Sequence, residues 1–132
     1  MKSTITFYGG AGSVTGANFM LDTHSTGSGQ VGTKILVDCG SVAEQASAND
    51  VNHEPFAYDA HSAQALVVTH AHADHIGRIP KLVRAGFRGT IYSTGATRDI
   101  AEIMFEDALH IMQEEEIRSG VPVLYEADDI ER

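Results

Sequence analysis

The chain holds one cysteine, nine lysines and arginines against eighteen aspartates and glutamates, and no long apolar run. Each shortage closes off a class of protein. A lone Cys39 cannot form an intrachain disulfide, so the fold has to be held together by its core. No apolar stretch approaches the roughly 18 residues that a membrane helix needs, and the opening MKSTITFYGG has one lysine but no apolar segment of signal-peptide length. These features point to a reducing cytoplasm and away from a membrane. The formal net charge of −9 opposes the basic face with which proteins usually meet nucleic acid. Any contact with a polyanion is therefore local, metal-borne or made elsewhere.

What is present suits one modest domain of 132 residues with 42% hydrophobic content. STITFYG (Ser3 to Gly9) alternates apolar and polar residues, and ANFMLDT and KILVDCG follow as two more β-rich runs. The segment HSTGSGQVG (His24 to Gly32) reads as a mobile hairpin connection. An irregular polar stretch runs from Gly40 to Ala60, and AQALVVT then resumes as a fourth strand, apolar enough to be covered on both faces. RIPKLVRAGF predicts a short helix, GTIYST a fifth strand, and Thr97 to Ser119 a long helix. Thr94 or Thr97 is available to cap that helix, and Gly120 with Pro122 stops it. Ile100, Ile103, Met104, Ala108 and Ile111 recur along it at three- and four-residue spacing and read as its core stripe, with Met104 and Met112 as packing residues. Glu114, Glu115 and Glu116 read as a solvated face. No internal repeat is evident.

The densest chemistry lies in VVTHAHADHIGR, Val67 to Arg78, with three histidines and an aspartate between His70 and His75. In an extended segment residues two apart point the same way, so His70 and His72 can share one ion, while Asp74 and His75 can reach a second. Imidazole and carboxylate are the donors that Zn²⁺ and its first-row neighbours prefer. A surface cluster of histidines without an ion is the plainer alternative. The isolated His24, His53, His61 and His110 read as solvated or hydrogen-bonded side chains. GGAGSVTG invites a nucleotide-binding reading, but Thr15 stands where the dinucleotide fingerprint wants glycine, and a strand rather than a helix follows. A loop letting backbone approach the metal site, or a tight turn, fits better. Cys39 has no positioned base and reads as a buried structural thiol.

HAHADH resembles the His-x-His-x-Asp-His signature of the metallo-β-lactamase superfamily. The flanks YGGAGSVTGANFML, LVDCG and GRIPKLVRAGFRGTIYSTGATRDIAEIMFEDA resemble its β-CASP branch, the RNA-processing nucleases, over nearly the whole chain. The resemblance implies an α/β fold, the N-terminal portion of an αββα sandwich. It implies two Zn²⁺ per complete site, with His70 and His72 on one and Asp74 and His75 on the other. Asp38 matches the family's first motif, a carboxylate that orients the metal loop; an ordinary aspartate capping a turn is the alternative. Two such ions activate water and stabilise charge on a phosphodiester, so hydrolysis of RNA is the implied reaction, with Asp74 as a group that could steer a proton.

The resemblance also marks a deficit. The family's further histidine, bridging aspartate and C-terminal histidines in an inserted clamp have no counterpart here, and Asp128 and Asp129 match the bridging aspartate poorly. Residues 1–132 are thus expected to be the N-terminal part of a metallo-β-lactamase domain, inactive toward RNA alone and prone to homo-oligomers through uncovered apolar faces. Two other readings remain. One is a different hydrolase or an iron-dependent persulfide dioxygenase of the same fold, and the other is a non-catalytic subunit of an RNA-processing complex.

Overall fold

Strands β1 (Lys2–Gly9), β2 (Asn18–His24) and β3 (Thr33–Val37) form an antiparallel meander, to which β4 (Ala65–Val67) and β5 (Thr90–Tyr92) add in parallel. The result is one five-stranded mixed sheet in the order β1-β2-β3-β4-β5. The computed structural model describes residues 2–24, 32–43 and 48–132, so most of the expected hairpin connection at 24–32 lies outside the described residues. A parallel pair needs a crossover. The β3-to-β4 crossover carries a short helix, α1 (Ala48–His53), and a 3₁₀ turn at Ala60–Ser62. The next carries α2 (Ala73–Ile76) and α3 (Ile79–Arg84), and α4 (Gly95–Ser119) and α5 (Ala127–Glu131) follow β5. Sequence reading expected one short and one long helix. The additional helical pieces are single turns or little more, too brief for an apolar period to mark them.

Register sorts the side chains of the sheet into two faces. The row Thr6, Met20, Leu36, Leu66, Ile91 lies on one face and the row Phe7, Phe19, Val37, Val67, Tyr92 on the other. Met20, Leu36 and Leu66 are buried under Ile76, Ile79, Leu82, Phe87 and Ala101, which together make the core. Each of the larger side chains among them contributes about 1.5–3 kcal/mol through its removal from water. The opposite face is open: Phe7 is 61%, Val67 39% and Tyr92 57% exposed. The expectation that β4 is covered on both faces therefore fails at Val67, because every described helix that packs into the core does so on the Leu66 side.

Helix α4 begins and ends as its sequence predicts. The Thr94 side chain accepts a hydrogen bond from the Thr97 amide at 3.1 Å, and Gly120, at φ 76°, closes the C-terminus by donating to Glu116 O at 2.8 Å. Its core stripe is displaced from the expected one. Thr97, Ala101 and Leu109 are buried, with Met104, Phe105 and Ala108 half-buried, whereas Ile100, Ile103 and Ile111 are exposed. Of the expected stripe, Met104 packs against the core and Ala108 is half-buried, so periodicity found part of the covered face and misplaced the three isoleucines. Tyr125, fully buried, ties the following segment back by donating to Phe105 O at 3.1 Å, and α5 settles against α3 and α4. Asp129 there accepts from the Glu126 amide at 2.9 Å and caps α5. No described helix is long and apolar enough to cross a membrane.

Candidate metal centre

β3 and β4 run parallel, so their C-terminal ends meet at one edge of the sheet, where open α/β sheets place their ligands. β3 ends at Val37, and Asp38 follows in the left-handed region at φ 57°, the one described non-glycine residue there. That conformation costs on the order of 1 kcal/mol for a residue with a Cβ. Hydrogen bonds offset it. The Asp38 amide donates to Val67 O at 2.9 Å, and Asp38 O accepts from Asn18 Nδ2 at 2.8 Å. The turn directs the carboxylate into the protein, where it is 1% exposed.

Three donors meet that carboxylate. Thr69 N donates to Oδ1 at 2.8 Å, Thr69 Oγ1 donates to Oδ2 at 2.8 Å, and His75 Nδ1 lies 2.8 Å from Oδ2. A carboxylate only accepts, so Nδ1 of His75 carries the hydrogen, leaving Nε2 of the neutral ring with a bare lone pair. This is the arrangement by which a buried carboxylate orients a metal-binding imidazole. His75 Nε2 in turn lies 3.3 Å from Asp74 Oδ2. Two electron-pair donors that close require a cation, either a second ring proton or a metal ion.

His70 and His72 form a second pair. His72 is extended, at φ −72° and ψ 145°, and precedes the single turn of α2, which carries Asp74 and His75. His70 Nε2 stands 3.1 Å from His72 Nδ1, and the His70 ring centroid is 4.7 Å from that of His72 and 4.0 Å from that of His75. A tetrahedral ion with metal–ligand bonds of about 2.0–2.1 Å separates its ligands by about 3.3–3.4 Å. Both pairs are close to that spacing, so the donor chemistry fits divalent ions held by His70 with His72 and by Asp74 with His75. Among the described residues no three His, Cys, Asp or Glu side chains gather on one point. The donors come in twos.

The loop is fixed by backbone bonds to two distant segments. Ala17 N donates to Asp74 O at 2.9 Å, Cys39 N to His75 O at 2.8 Å, Gly40 N to Ala17 O at 2.8 Å and Ser41 N to Ala73 O at 2.9 Å. The glycine-rich loop after β1 thus does bring backbone to this site, through Ala17. Gly40 is required by the approach, since a Cβ there would sit 1.5 Å from Asp74 O. Arg78, buried beneath, donates through its amide to Cys39 O at 2.9 Å and through Nε to Gly40 O at 2.5 Å. Its guanidinium lies 5.5 Å from the centre of the Phe56 ring, which Lys81 also overlies at 4.9 Å. Desolvation, and then Arg78 itself, lower the Lys81 pKa.

Cys39, with no exposed surface, has its thiol pushed up to about 12 by burial, as suits a structural residue. The side chain of His24 lies outside the described residues, and His53, His61 and His110 have partners away from this site. His53 Nε2 lies 2.7 Å from Pro122 O, His61 pairs with Asp59 at 3.3 Å and His110 with Glu114 at 3.4 Å. Sequence reasoning missed Thr69, Asn18 and Arg78. Their partners are 20 to 38 residues away, and no local pattern announces such contacts.

A single five-stranded sheet backed by helices, with His and Asp side chains crowding the ends of two parallel strands, places the chain among the α/β proteins. Residues 33–126 match the model of the beta-lactamase superfamily domain, and the chain belongs to that superfamily. It is 47% identical over 83 residues to ribonuclease TTHA0252 of Thermus thermophilus, covering 63% of this chain and 19% of that protein. To transcription termination factor FttA of Methanocaldococcus jannaschii it is 38% identical over 99 residues, 74% of this chain and 15% of that one. FttA of Methanosarcina mazei is 30% identical over 124 residues, 93% of this chain and 18% of that one. The chain thus spans less than a fifth of the length of each of these relatives.

Proposed function

We propose that residues 1–132 are the N-terminal part of the catalytic domain of a zinc-dependent, cytoplasmic ribonuclease of the β-CASP branch, acting in RNA processing or decay. The observation that carries this reading is the paired spacing of donors, 3.1 Å between His70 and His72 and 3.3 Å between Asp74 and His75. The likeness to a protein named a ribonuclease supports the substrate class. Bound zinc supplies Lewis acidity and the local positive charge that a chain of net charge −9 lacks. His70 and His72 hold one ion, Asp74 and His75 the other, and Asp38 holds His75 in the tautomer that leaves Nε2 free. Asp74, 28% exposed at its side chain, is reachable by water and could steer a proton there. Two donors per ion fall short of the four that a closed zinc site takes, so the complete centre draws on further residues of the whole protein.

Similarity to proteins named transcription termination factor favours a second placing of the same chemistry, cleavage of a transcript during termination. The test for both is His72→Ala in the full-length protein, read by elemental analysis and by cleavage of labelled single-stranded RNA, with thioester, lactone and persulfide substrates alongside. Loss of metal and of RNA cleavage together is expected. Unchanged metal content and cleavage, or turnover of one of the other substrates in place of RNA, would sink the reading.

A further inference from the structure

We infer that Thr69 is a positioning residue whose hydroxyl sets the tautomer of His70, so that one buried carboxylate, Asp38, governs both donor pairs. The inference rests on the metal reading above and follows from counting hydrogens. Thr69 Oγ1 has three neighbours: Asp38 Oδ2 at 2.8 Å, His70 Nδ1 at 3.0 Å and His75 Nδ1 at 3.4 Å. The hydroxyl has a single hydrogen. The carboxylate has none to give, so that hydrogen goes to Asp38, and Oγ1 faces His70 with a lone pair. His70 Nδ1 must then be the donor. In a neutral ring this leaves Nε2 bare, and Nε2 is the atom 3.1 Å from His72 Nδ1. The hydrogen of His75 Nδ1 goes to the nearer acceptor, Asp38 Oδ2 at 2.8 Å.

Asp38 therefore reaches His75 directly and His70 through Thr69. The Thr69 amide, donating to Oδ1 at 2.8 Å, holds the residue in place independently of its hydroxyl. The two histidines are thus controlled by separable bonds. Removing the hydroxyl frees the tautomer of His70 and leaves that of His75 under Asp38.

The test compares the wild-type full chain with Thr69→Val, which keeps shape and amide but loses the hydroxyl, and Thr69→Ser, which restores it. Imidazole nitrogens are read by NMR on isotope-labelled histidine without metal, and zinc affinity is measured by competition with a chromogenic chelator. The valine variant is expected to show mixed tautomers at His70 with His75 unchanged, and zinc binding weaker by roughly 10- to 100-fold. The serine variant is expected within a few-fold of wild type. Three results would each overturn the assignment: an unchanged His70 tautomer in Thr69→Val, simultaneous loss of order at His70 and His75, or a serine variant as impaired as the valine one. Because the tautomers are read without metal, a wild-type chain that binds no zinc would count against the metal reading while leaving the Thr69 result to stand or fall separately.

Discussion

His75 Nδ1 and Asp38 Oδ2 stand 2.8 Å apart across 37 residues of sequence. The contact joins the end of β3 to the last histidine of the donor loop and makes the two segments one unit. Asp38 accepts three hydrogen bonds, two from Thr69 and one from His75, with its own side chain 1% exposed. Removing it takes away the shared acceptor that holds Thr69 and His75 together, two residues that themselves keep contact with solvent.

Asp38→Ala is accordingly expected to weaken zinc binding by roughly 10- to 100-fold while the chain still folds. Chelator competition with zinc, alongside circular dichroism, measures both. An alanine variant with wild-type zinc affinity would return Asp38 to the role of a turn-capping aspartate.

Gly40→Ala tests how tightly the loop is pressed onto the β3 end. The added Cβ would meet Asp74 O at 1.5 Å and His75 N at 2.6 Å, both backbone atoms that cannot swing aside. A loss of more than about 3 kcal/mol is expected, toward the upper end for single substitutions. Denaturant unfolding at fixed zinc concentration reads it, and an unchanged midpoint would show that the two backbones do not lie so close in solution.

How far the sequence foretold this molecule depends on the range of the signal. The five strands and α4 are repeating local patterns, and the cap at Thr94 and the stop at Gly120 are local chemistry, so both ends of that helix were legible. HAHADH packs its donors within six residues, and spacing alone pairs His70 with His72. The burial of Ile100, Ile103 and Ile111 was misjudged because periodicity marks an apolar face without saying what covers it. Coverage of β4 was misjudged for the same reason. Thr69, Asn18 and Arg78 are anchored by contacts to Asp38, Cys39 and Gly40, 20 or more residues away, and a lone polar residue beside a strand carries no pattern that reads such contacts.

Alkaline pH gives a prediction from Cys39. Its thiol is raised from 9.0 to about 12 by burial, so the unfolded chain loses this proton at a lower pH than the folded one. Between those values the unfolded state binds fewer protons, and stability falls as pH rises. The contribution is complete below pH 9.0 and is lost progressively toward about 12. Unfolding midpoints of wild type and Cys39→Ala across that range should converge as pH rises. Parallel curves would indicate that the thiol ionises alike in both states.

The open face of the sheet gives the last prediction. Phe7, Val67 and Tyr92 lie in one register row, and Ile5, 62% exposed, is two residues along β1 from Phe7 on the same face. Together they form an apolar strip across strands whose other side is the core, and monomeric proteins seldom expose a continuous patch of that kind. The 132-residue chain alone is expected to self-associate in a concentration-dependent way. Phe7→Thr with Val67→Thr should reduce that association without unfolding the chain, since threonine keeps the strand preference of a β-branched residue and both positions face outward. Leu66→Ala, one residue from Val67 on the covered face, is the opposite case. It leaves a cavity in the core and should cost about 2–5 kcal/mol without affecting association of the folded chain. Sedimentation velocity over a range of concentrations, with denaturant unfolding of each variant, separates the two effects. A wild-type chain that stays monomeric throughout would mean that this face is covered by residues of the chain itself.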